Sequence, residues 1–179
     1  MTELETLSQV ADLGTAIATI VLVIIIWKTV AQLEETVKVS RIQITHRFRP
    51  WIGHQNKIEL MSTDQDRHQF AITLRNYGEI PSSNLLASFI SKTEPIPKEL
   101  AKKSNSNTFN LGPLLPNMEK RYWFFVDSDL IQKAKDGKDQ LFISLYFSYE
   151  HPTGKSGYGL VSHFDAKADA FVHNEMWLD

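Results

Sequence analysis

The chain of 179 residues contains no cysteine. This absence excludes a disulfide framework and catalysis by a thiol, although it does not distinguish a reducing from an oxidising compartment. The H-E-x-x-H zinc motif, the G-x-S-x-G serine elbow and the glycine-rich phosphate loops are missing as well. Residues 152–157, P-T-G-K-S-G, superficially resemble a phosphate loop, but they lack its first glycine and are predicted to form a hairpin tip. We therefore expect a protein that is not an enzyme and that holds no cofactor or metal.

Long hydrophobic runs are also absent, with one exception near the N-terminus. Residues 13–27, LGTAIATIVLVIIIW, carry no charge, and with the flanking residues they reach the roughly 20 residues that cross a bilayer as a helix. A signal peptide would begin with basic residues, whereas this chain begins with Glu3, Glu5 and Asp12. The run predicts a short tail over 1–12 and a transmembrane helix over 13–30 in a lipid bilayer. The residues assigned to this membrane helix are Leu13, Gly14, Ala18, Ile20, Val21, Leu22, Ile24, Ile25, Ile26 and Trp27.

Basic residues are missing on one side of that helix. No lysine or arginine precedes Lys28, and five follow within reach of the membrane: Lys28, Lys38, Arg41, Arg47 and Arg49. Basic flanks remain in the cytoplasm. We expect a single-pass protein of the cell inner membrane, with its N-terminus outside and its C-terminal domain cytoplasmic.

The segment after the membrane helix, residues 31–48, has no glycine or proline and is predicted to continue as a helical stalk that stops at Pro50. Its apolar positions recur at spacings of three, four and seven, which indicates a short coiled coil or a stalk that lies on its own domain. Gly14 and Ala18 offer a small-residue face within the membrane. Both features favour a homo-oligomer. The candidate self-association residues are Gly14, Ala18, Val30, Leu33, Val37 and Ile44.

Residues 49–179 have the length of one domain and the texture of β structure. Alternating apolar residues predict strands in DRHQFAITLRNYG and NLLASFISK, and QLFISLYFSYE is expected to pair with GYGLVSHFD as a hairpin. RYWFFVD is apolar on both faces, which predicts a central strand covered on both sides. The tail, FVHNEMWLD, is predicted to be an edge strand.

Two segments interrupt the strand pattern. PIPKELAKK predicts a short capped helix or a loop, and DSDLIQKAKDG predicts a helix with an aspartate or serine N-cap and a terminal glycine. Strands at this spacing, joined by turns such as LGPLLPN, are typical of an antiparallel sandwich. The expected fold class is mainly β with an N-terminal α-helix, the β part being an antiparallel immunoglobulin-like β-sandwich.

Several short motifs mark the ends of the predicted strands. They are R-P-W-I at residues 49–52, N-Y-G-E-I-P-S-S-N at 76–84, L-G-P-L-L-P at 111–116, and Tyr146, Tyr149 and Tyr158 around a glycine turn. With these motifs the chain resembles a diffuse group of uncharacterised prokaryotic single-pass membrane proteins that carry a small β-sandwich. The resemblance covers nearly the whole chain and implies this architecture but no activity. Asn117 stands where the group usually has glycine.

The motif N-Y-G-E-I-P-S-S-N is interpreted as a structural turn in preference to a binding loop. Gly78 can supply a positive φ, Pro81 has no N–H for a strand ladder, and the asparagine side chains can bond turn backbone.

Charged residues give few candidates for a site. From Arg49 onward the chain has 15 Lys and Arg against 16 Asp and Glu, so we expect no bulk nucleic-acid binding. The pair His163 and Asp165, which we expect the hairpin at Glu150 and His151 to approach, is the best acid–base or metal candidate. The candidate residues for a small anionic ligand are Lys120, Arg121, His151, Lys155 and His163.

These observations predict a membrane-anchored, non-catalytic binding or assembly module, with a protein or a second copy as partner. The alternative is a membrane sensor-effector, as in prokaryotic defence, whose cytoplasmic domain binds a small anionic or nucleotide messenger and whose helices then oligomerise. A hydrolase that uses His151, His163 and Asp165 and a domain with reversed topology are the remaining alternatives.

Overall fold

The computed structural model describes the backbone of residues 3–47, 49–103 and 108–179, and the side chains of residues 13–42, 49–103 and 108–179. Ile44, one of the predicted self-association residues, therefore has its side chain outside the described residues. The chain divides into two compact units, a helical one up to His46 and a β-rich one from Arg47 onward. Residues 49–179 are called the β domain below.

The helical unit is one uninterrupted helix, α1, Glu3–Arg47. At 1.5 Å per residue its 45 residues span about 68 Å. Within it, residues Leu13–Ile42 are long and apolar enough to cross a membrane. The helix runs without interruption from the apolar residues into residues 31–47. The helix ends three residues before Pro50, because proline disfavours helical backbone in the residue before it.

Over residues 49–103 and 108–179 the β domain contains nine antiparallel strands in two sheets, with two short helices between strands. The strands are β1 Ile52–His54, β2 Glu59–Thr63, β3 Arg67–Asn76, β4 Ser82–Lys92, β5 Thr108–Leu114, β6 Glu119–Asp127, β7 Phe142–His151, β8 Gly154–Asp165 and β9 Ala170–Leu178. The helices are α2 Lys98–Lys103 and α3 Ser128–Lys135. Mainly β structure after an N-terminal helix agrees with the predicted fold class.

The two sheets have different widths. In the first sheet β3 is central, β6 pairs with one of its edges, and β1 and β2 pair one after the other with its opposite edge. The second sheet has the order β5-β4-β7-β8-β9. Alternate residues of both sheets meet in one core, where Phe147 of β7 packs edge-on against Tyr122 of β6 with ring centroids 5.8 Å apart. The domain is therefore a sandwich of two antiparallel sheets.

Most of the predicted strands and helices are present. The hairpin of β7 and β8 pairs Phe142 with His163 and continues to the pair His151–Gly154, so its loop is only Pro152 and Thr153. The strand β9 forms the edge of the second sheet, as expected. The prediction of α3 is correct, and Gly137 beyond its end has φ +70°, although its N-cap residue Asp127 makes no side-chain cap bond. The segment of α2 is a helix rather than a loop.

The prediction for RYWFFVD is wrong. This segment is β6, which is an edge strand of the first sheet and pairs only with β3 among the described residues. Tyr122, Phe124 and Val126 face the core, whereas Trp123 is 55% and Phe125 52% exposed on the outer face. Apolar residues at the centre of both faces are typical of a covered strand, but the charged Arg121 and Asp127 at the ends of the outer face are typical of an exposed one.

Asn76, at the end of β3, connects the motifs R-P-W-I, N-Y-G-E-I-P-S-S-N and L-G-P-L-L-P. Its side chain is fully buried, its Oδ1 accepts hydrogen bonds from the N–H groups of Gly78 and Trp51 at 2.9 and 3.2 Å, and its Nδ2 donates to the carbonyls of Ile80 and Leu114 at 2.8 and 3.1 Å. All four hydrogen-bonding positions of the amide are used. The interpretation of the motif as a structural turn agrees with this arrangement.

The backbone at Gly78 and at Asn117 explains which residues these two positions accept. Gly78 does not have a positive φ; instead a Cβ at this position would lie 2.6 Å from the carbonyl oxygen of Arg49, so glycine is required by close backbone approach. Asn117 has φ +59°, a conformation that glycine and asparagine adopt most readily. This explains why asparagine can stand where the resembling group has glycine.

Candidate functional site

An open cleft of about 650 Å³ lies between edge strand β1 of the first sheet and edge strand β9 of the second. We call it the β1–β9 cleft. Its volume is in the range of small-molecule sites, about 300–1,000 Å³. The lining residues are Trp51, Ile52, Gly53, His54, Tyr77, Tyr158, Met176, Trp177 and Leu178.

The Asn76 hydrogen bonds place two aromatic walls of this cleft. Asn76 Oδ1 holds the N–H of Trp51, and the N–H of Tyr77 donates to the carbonyl of Trp51 at 2.8 Å. The Tyr77 hydroxyl donates to the carbonyl of His54 at 3.2 Å. The same turn that ends β3 therefore fixes the backbone of Trp51 and the ring of Tyr77 beside the cleft.

A chain of polar side chains lies at the inner side of the cleft. The Tyr158 hydroxyl hydrogen-bonds His54 Nδ1, the rings of His54 and His173 are 4.8 Å apart, and His173 Nδ1 lies 2.8 Å from Ser162 Oγ. His173 Nε2 is buried without a hydrogen-bond partner. These residues come from β1, β8 and β9, so the polar chain joins the two sheets at the cleft.

Burial sets the protonation states of this polar chain. Burial lowers the pKa of the His54 imidazole, and burial together with the nearby His54 ring lowers the pKa of His173. Burial raises the pKa of the Tyr158 hydroxyl to about 12. At neutral pH the Tyr158 hydroxyl therefore keeps its proton, and it shares a hydrogen bond with Nδ1 of His54. The polar chain is therefore uncharged at neutral pH.

We expect stability of the β domain to depend on these histidines below neutral pH. Unfolded histidine titrates near pH 6.5. Because the folded-state pKa of His54 and of His173 lies lower, the unfolded chain binds more protons there, so their contribution is complete above pH 6.5 and is lost as the pH falls through the folded-state pKa values. The free energy of unfolding, measured by tryptophan fluorescence between pH 7.5 and 5, should decrease less in the double variant His54→Gln/His173→Gln than in the wild type. An unchanged pH dependence in the double variant would contradict this assignment.

Chemically, the cleft suits a flat, uncharged group. None of its lining residues is Asp, Glu, Lys or Arg, and Trp51, Tyr77 and Trp177 supply aromatic surface. The guanidinium groups of two arginines stack on the walls, with Arg49 3.9 Å from the Trp51 ring centre and Arg75 5.6 Å from the Tyr77 ring centre. Among the described residues no group of three His, Asp or Glu side chains is placed to hold a metal ion.

The residues predicted for an anionic ligand do not form one site. Lys120 and Arg121 lie on β6, where Lys120 Nζ donates to the carbonyl of Leu111 and Arg121 lies 3.9 Å from Glu59. His151 and Lys155 lie at the tip of the β7–β8 hairpin, where Lys155 pairs with Glu150 at 2.8 Å. His163 lies near the other end of β8 and hydrogen-bonds Asn174.

The expected approach of His151 to His163 and Asp165 is wrong. In the β7–β8 hairpin His151 pairs with Gly154, whereas His163 pairs with Phe142 at the opposite end of both strands. At about 3.3 Å per residue, nine residues separate Gly154 from His163 by roughly 30 Å. The geometry therefore separates His151 from the pair His163 and Asp165, which remain together on β8.

The candidate self-association residues lie on α1. Val30, Leu33 and Val37 are exposed along the helix, and a Cβ built on Gly14 would meet nothing within 4 Å. Ala18 is exposed one turn beyond Gly14.

Sequence reasoning missed the β1–β9 cleft. His54 and His173 are far apart in the chain, and β1 has only three residues, so neither spacing nor periodicity links them. The only available signal was the pair of motifs R-P-W-I and N-Y-G, which together supply Trp51, Ile52 and Tyr77 to the lining.

Comparisons with solved structures include the following two weak likenesses. The chain is similar to the Northeast Structural Genomics Consortium target SoR45, with 14% sequence identity, 71% of this chain and 84% of that chain covered, and a TM-score of 0.29. It is also similar to the beta-glucosidase from Kluyveromyces marxianus in complex with glucose, with 12% identity, a TM-score of 0.24, and 73% of this chain but 15% of that chain covered. No protein-family model and no curated protein matches the chain. At these TM-scores the likenesses carry no argument about fold or function.

Proposed function

We propose that this chain is a membrane-anchored, non-catalytic binding module. Its apolar helix α1 holds the β domain at a lipid bilayer, and the β1–β9 cleft receives a flat, uncharged group of a partner or small molecule. The observation that carries the proposal is the cleft itself: about 650 Å³, walled by aromatic rings, with an uncharged polar chain at its inner side. Sites of this kind, mostly apolar with a few convergent polar groups, are the common form of small-molecule sites.

Binding in the cleft is tested with indole, an uncharged flat ring. We expect indole to raise the unfolding temperature of the detergent-solubilised full chain in a saturable way, because the ring gains contact with Trp51 and Tyr77. Met176→Arg places a long cationic side chain in the cleft and should abolish the shift. Phe109→Arg, at a position 60% exposed on β5, is the matched control and should keep it. A shift of equal size in Met176→Arg, or no saturable shift in the wild type, would exclude the cleft as the site.

The sensor-effector function is the second candidate, and one observation favours it. Arg49 and Arg75 each stack on an aromatic wall of the cleft, so a ligand with a flat ring and an attached anion could place the ring in the cleft and the anion beside a guanidinium. Adenosine and adenosine monophosphate distinguish the two candidates. A response to the monophosphate at much lower concentration than to adenosine, lost in Arg49→Gln, supports messenger binding; equal responses support the uncharged group.

We propose the orientation from the charges that flank α1. Basic residues begin at Lys28 and follow the apolar span, which supports an outside N-terminus and a cytoplasmic β domain at the cell inner membrane. Because the chain has no cysteine, single cysteines report the orientation without background. We expect a membrane-impermeant maleimide to label Thr2→Cys in intact cells and to label Lys155→Cys, whose side chain is 81% exposed, only after permeabilisation. The opposite result would reverse the orientation.

Self-association of α1 is part of the proposal. The exposed Val30, Leu33 and Val37 follow the spacing of a coiled-coil seam, and Gly14 and Ala18 permit close approach of two helices within the membrane. Association would bring two β domains together on one membrane and raise their effective concentration.

A further inference from the structure

The outer face of edge strand β6 carries an unusual series of exposed side chains. We call Arg121, Trp123, Phe125 and Asp127 the β6 outer row. Trp123 and Phe125 are each more than half exposed, and a charged residue stands at each end. Large aromatic side chains with polar flanks are typical of protein interfaces, which have an apolar centre and a polar rim.

The backbone of β6 is a regular, open edge. Its pairing with β3 runs without a register shift from Arg67–Asp127 to Arg75–Glu119, and no other strand of the described residues pairs with its second edge. The other edge strands are short or irregular: β1 has three residues, β2 and β9 have register shifts, and β5 has register shifts and Pro113. Short strands, bulges and proline are the devices that block edge pairing. Only β6 combines a long regular edge with exposed aromatic residues in the part of the chain that the structure describes.

We propose that two copies of this chain pair through β6, antiparallel, around a two-fold axis at Phe124. In this register Arg121 of one copy faces Asp127 of the other, and Trp123 faces Phe125. Each pair occurs twice because of the two-fold symmetry. The first sheets of the two copies then form one continuous sheet, and both open edges are closed.

The charges of the strand select this register. A two-fold axis at Trp123 would set Glu119 opposite Asp127, and directly opposed like charges destabilise a strand pair. An axis at Phe125 would set Trp123 opposite Asp127, and an axis at Tyr122 would set Glu119 opposite Phe125. Only the axis at Phe124 gives opposite charges and aromatic pairs at every position of the β6 outer row.

The pairing does not depend on the cleft or on its ligand, since the β6 outer row and the β1–β9 cleft share no residue. The groove beside β6, on the side of β5, adds Phe109 and Leu111 to the apolar surface near the new interface. The partner of β6 is a second copy of the same strand, because β6 carries both members of each favourable pair: Arg121 with Asp127, and Trp123 with Phe125. An antiparallel strand from another protein would need the same order of basic, aromatic and acidic residues from its N- to its C-terminus.

Two single-cysteine variants of the full chain in detergent test the register. Arg121→Cys and Asp127→Cys should form a disulfide-linked dimer under mild oxidation when they are mixed, because residues 121 and 127 face each other between copies. Each variant alone should not cross-link, because residues 121 of the two copies lie about 20 Å apart, six residues along the strand. Absence of the mixed dimer, or equal cross-linking of either variant alone, would overturn the proposal. Helix association through α1 alone gives no such positional preference.

Charge reversal provides a second test that keeps the core intact. Arg121→Glu sets two acidic residues opposite each other and should weaken dimerisation of the full chain, measured by analytical ultracentrifugation, at least about tenfold. Adding Asp127→Arg should restore it. Within one copy the double variant sets an acidic side chain at position 121 near Glu59 and a basic side chain at position 127 near Arg67, so recovery can come only from the pair between copies. A double variant that dimerises as weakly as Arg121→Glu would overturn the register.

Discussion

Replacing Asn76 with alanine should lower the free energy of unfolding of the β domain by about 4 kcal/mol. The substitution leaves four backbone groups without a partner, and each buried polar group in that state costs about 1–3 kcal/mol. The variant leaves the N–H groups of Gly78 and Trp51 without their acceptor and the carbonyls of Ile80 and Leu114 without a donor. Domains of this size have a total stability on the order of 5–15 kcal/mol, so the loss is a large fraction of it. Denaturant unfolding followed by tryptophan fluorescence measures the change.

Asn110→Ala is the matched control for this prediction. Asn110 is exposed and accepts one hydrogen bond, from the N–H of Gly112 at 2.7 Å. Because water replaces that bond, we expect a loss of less than about 1 kcal/mol. Equal effects of the two variants would mean that Asn76 does not connect the turns as described. Since Asn76 also fixes Trp51 and Tyr77, its variant should respond less to indole even under conditions in which it remains folded.

Replacing Phe147 with alanine should destabilise the β domain by about 3–5 kcal/mol, the range for loss of a buried phenylalanine. Phe147 is completely buried in β7, where its ring stacks on Tyr158 at 6.2 Å and meets the edge of Tyr122 of the opposite sheet at 5.8 Å. The substitution leaves a cavity between the two sheets. The unfolding midpoint in denaturant, at an unchanged slope, is the measurement.

Phe109→Ala tests whether the effect comes from burial rather than from the loss of a phenyl ring. Phe109 is 60% exposed on β5, and its ring lies 6.4 Å from Tyr122. We expect less than about 1 kcal/mol, because most of the removed surface already faces solvent. A loss at Phe109 that matches the loss at Phe147 would contradict the assignment of inner and outer faces.

The sequence predicted most of the fold because the relevant signals are local. An uncharged apolar run marks α1, and alternation of apolar residues marks β3, β4 and β7. The short loop of the β7–β8 hairpin follows from its turn residues, Pro152 to Gly154. The extent of β1, β2 and β5 could not be predicted, since these strands are short or interrupted by glycine and proline.

The sequence of β6 contains a signal that one of its faces is exposed. The outward positions of the strand read Glu119, Arg121, Trp123, Phe125 and Asp127, with three charges among five residues. A strand covered on both faces would not carry charges at the ends of one face. The outward residues of β6, taken apart from the inward ones, therefore indicate an exposed aromatic row. That row is the basis of the proposed dimer.

The β1–β9 cleft could not be predicted from the sequence. Its walls come from the segment around β1, the turn after β3, and strands β8 and β9, which come together only in the assembled sandwich. The individual residues carry no catalytic or ligand motif. Burial, which lowers the pKa of both histidines, is a property of the assembled sandwich and not of any local segment.

The most direct test of the central claim is the partition of the intact chain between membrane and soluble fractions after an alkaline carbonate wash. A helix with an uncharged run over residues 13–27, exposed along its whole apolar span, should remain in the membrane pellet until detergent is added. The double variant Leu22→Arg/Ile25→Arg, which places two charges near the middle of that span, should be released. Recovery of the unaltered chain in the wash without detergent would contradict membrane anchoring and, with it, the account of this protein as a module held at the bilayer.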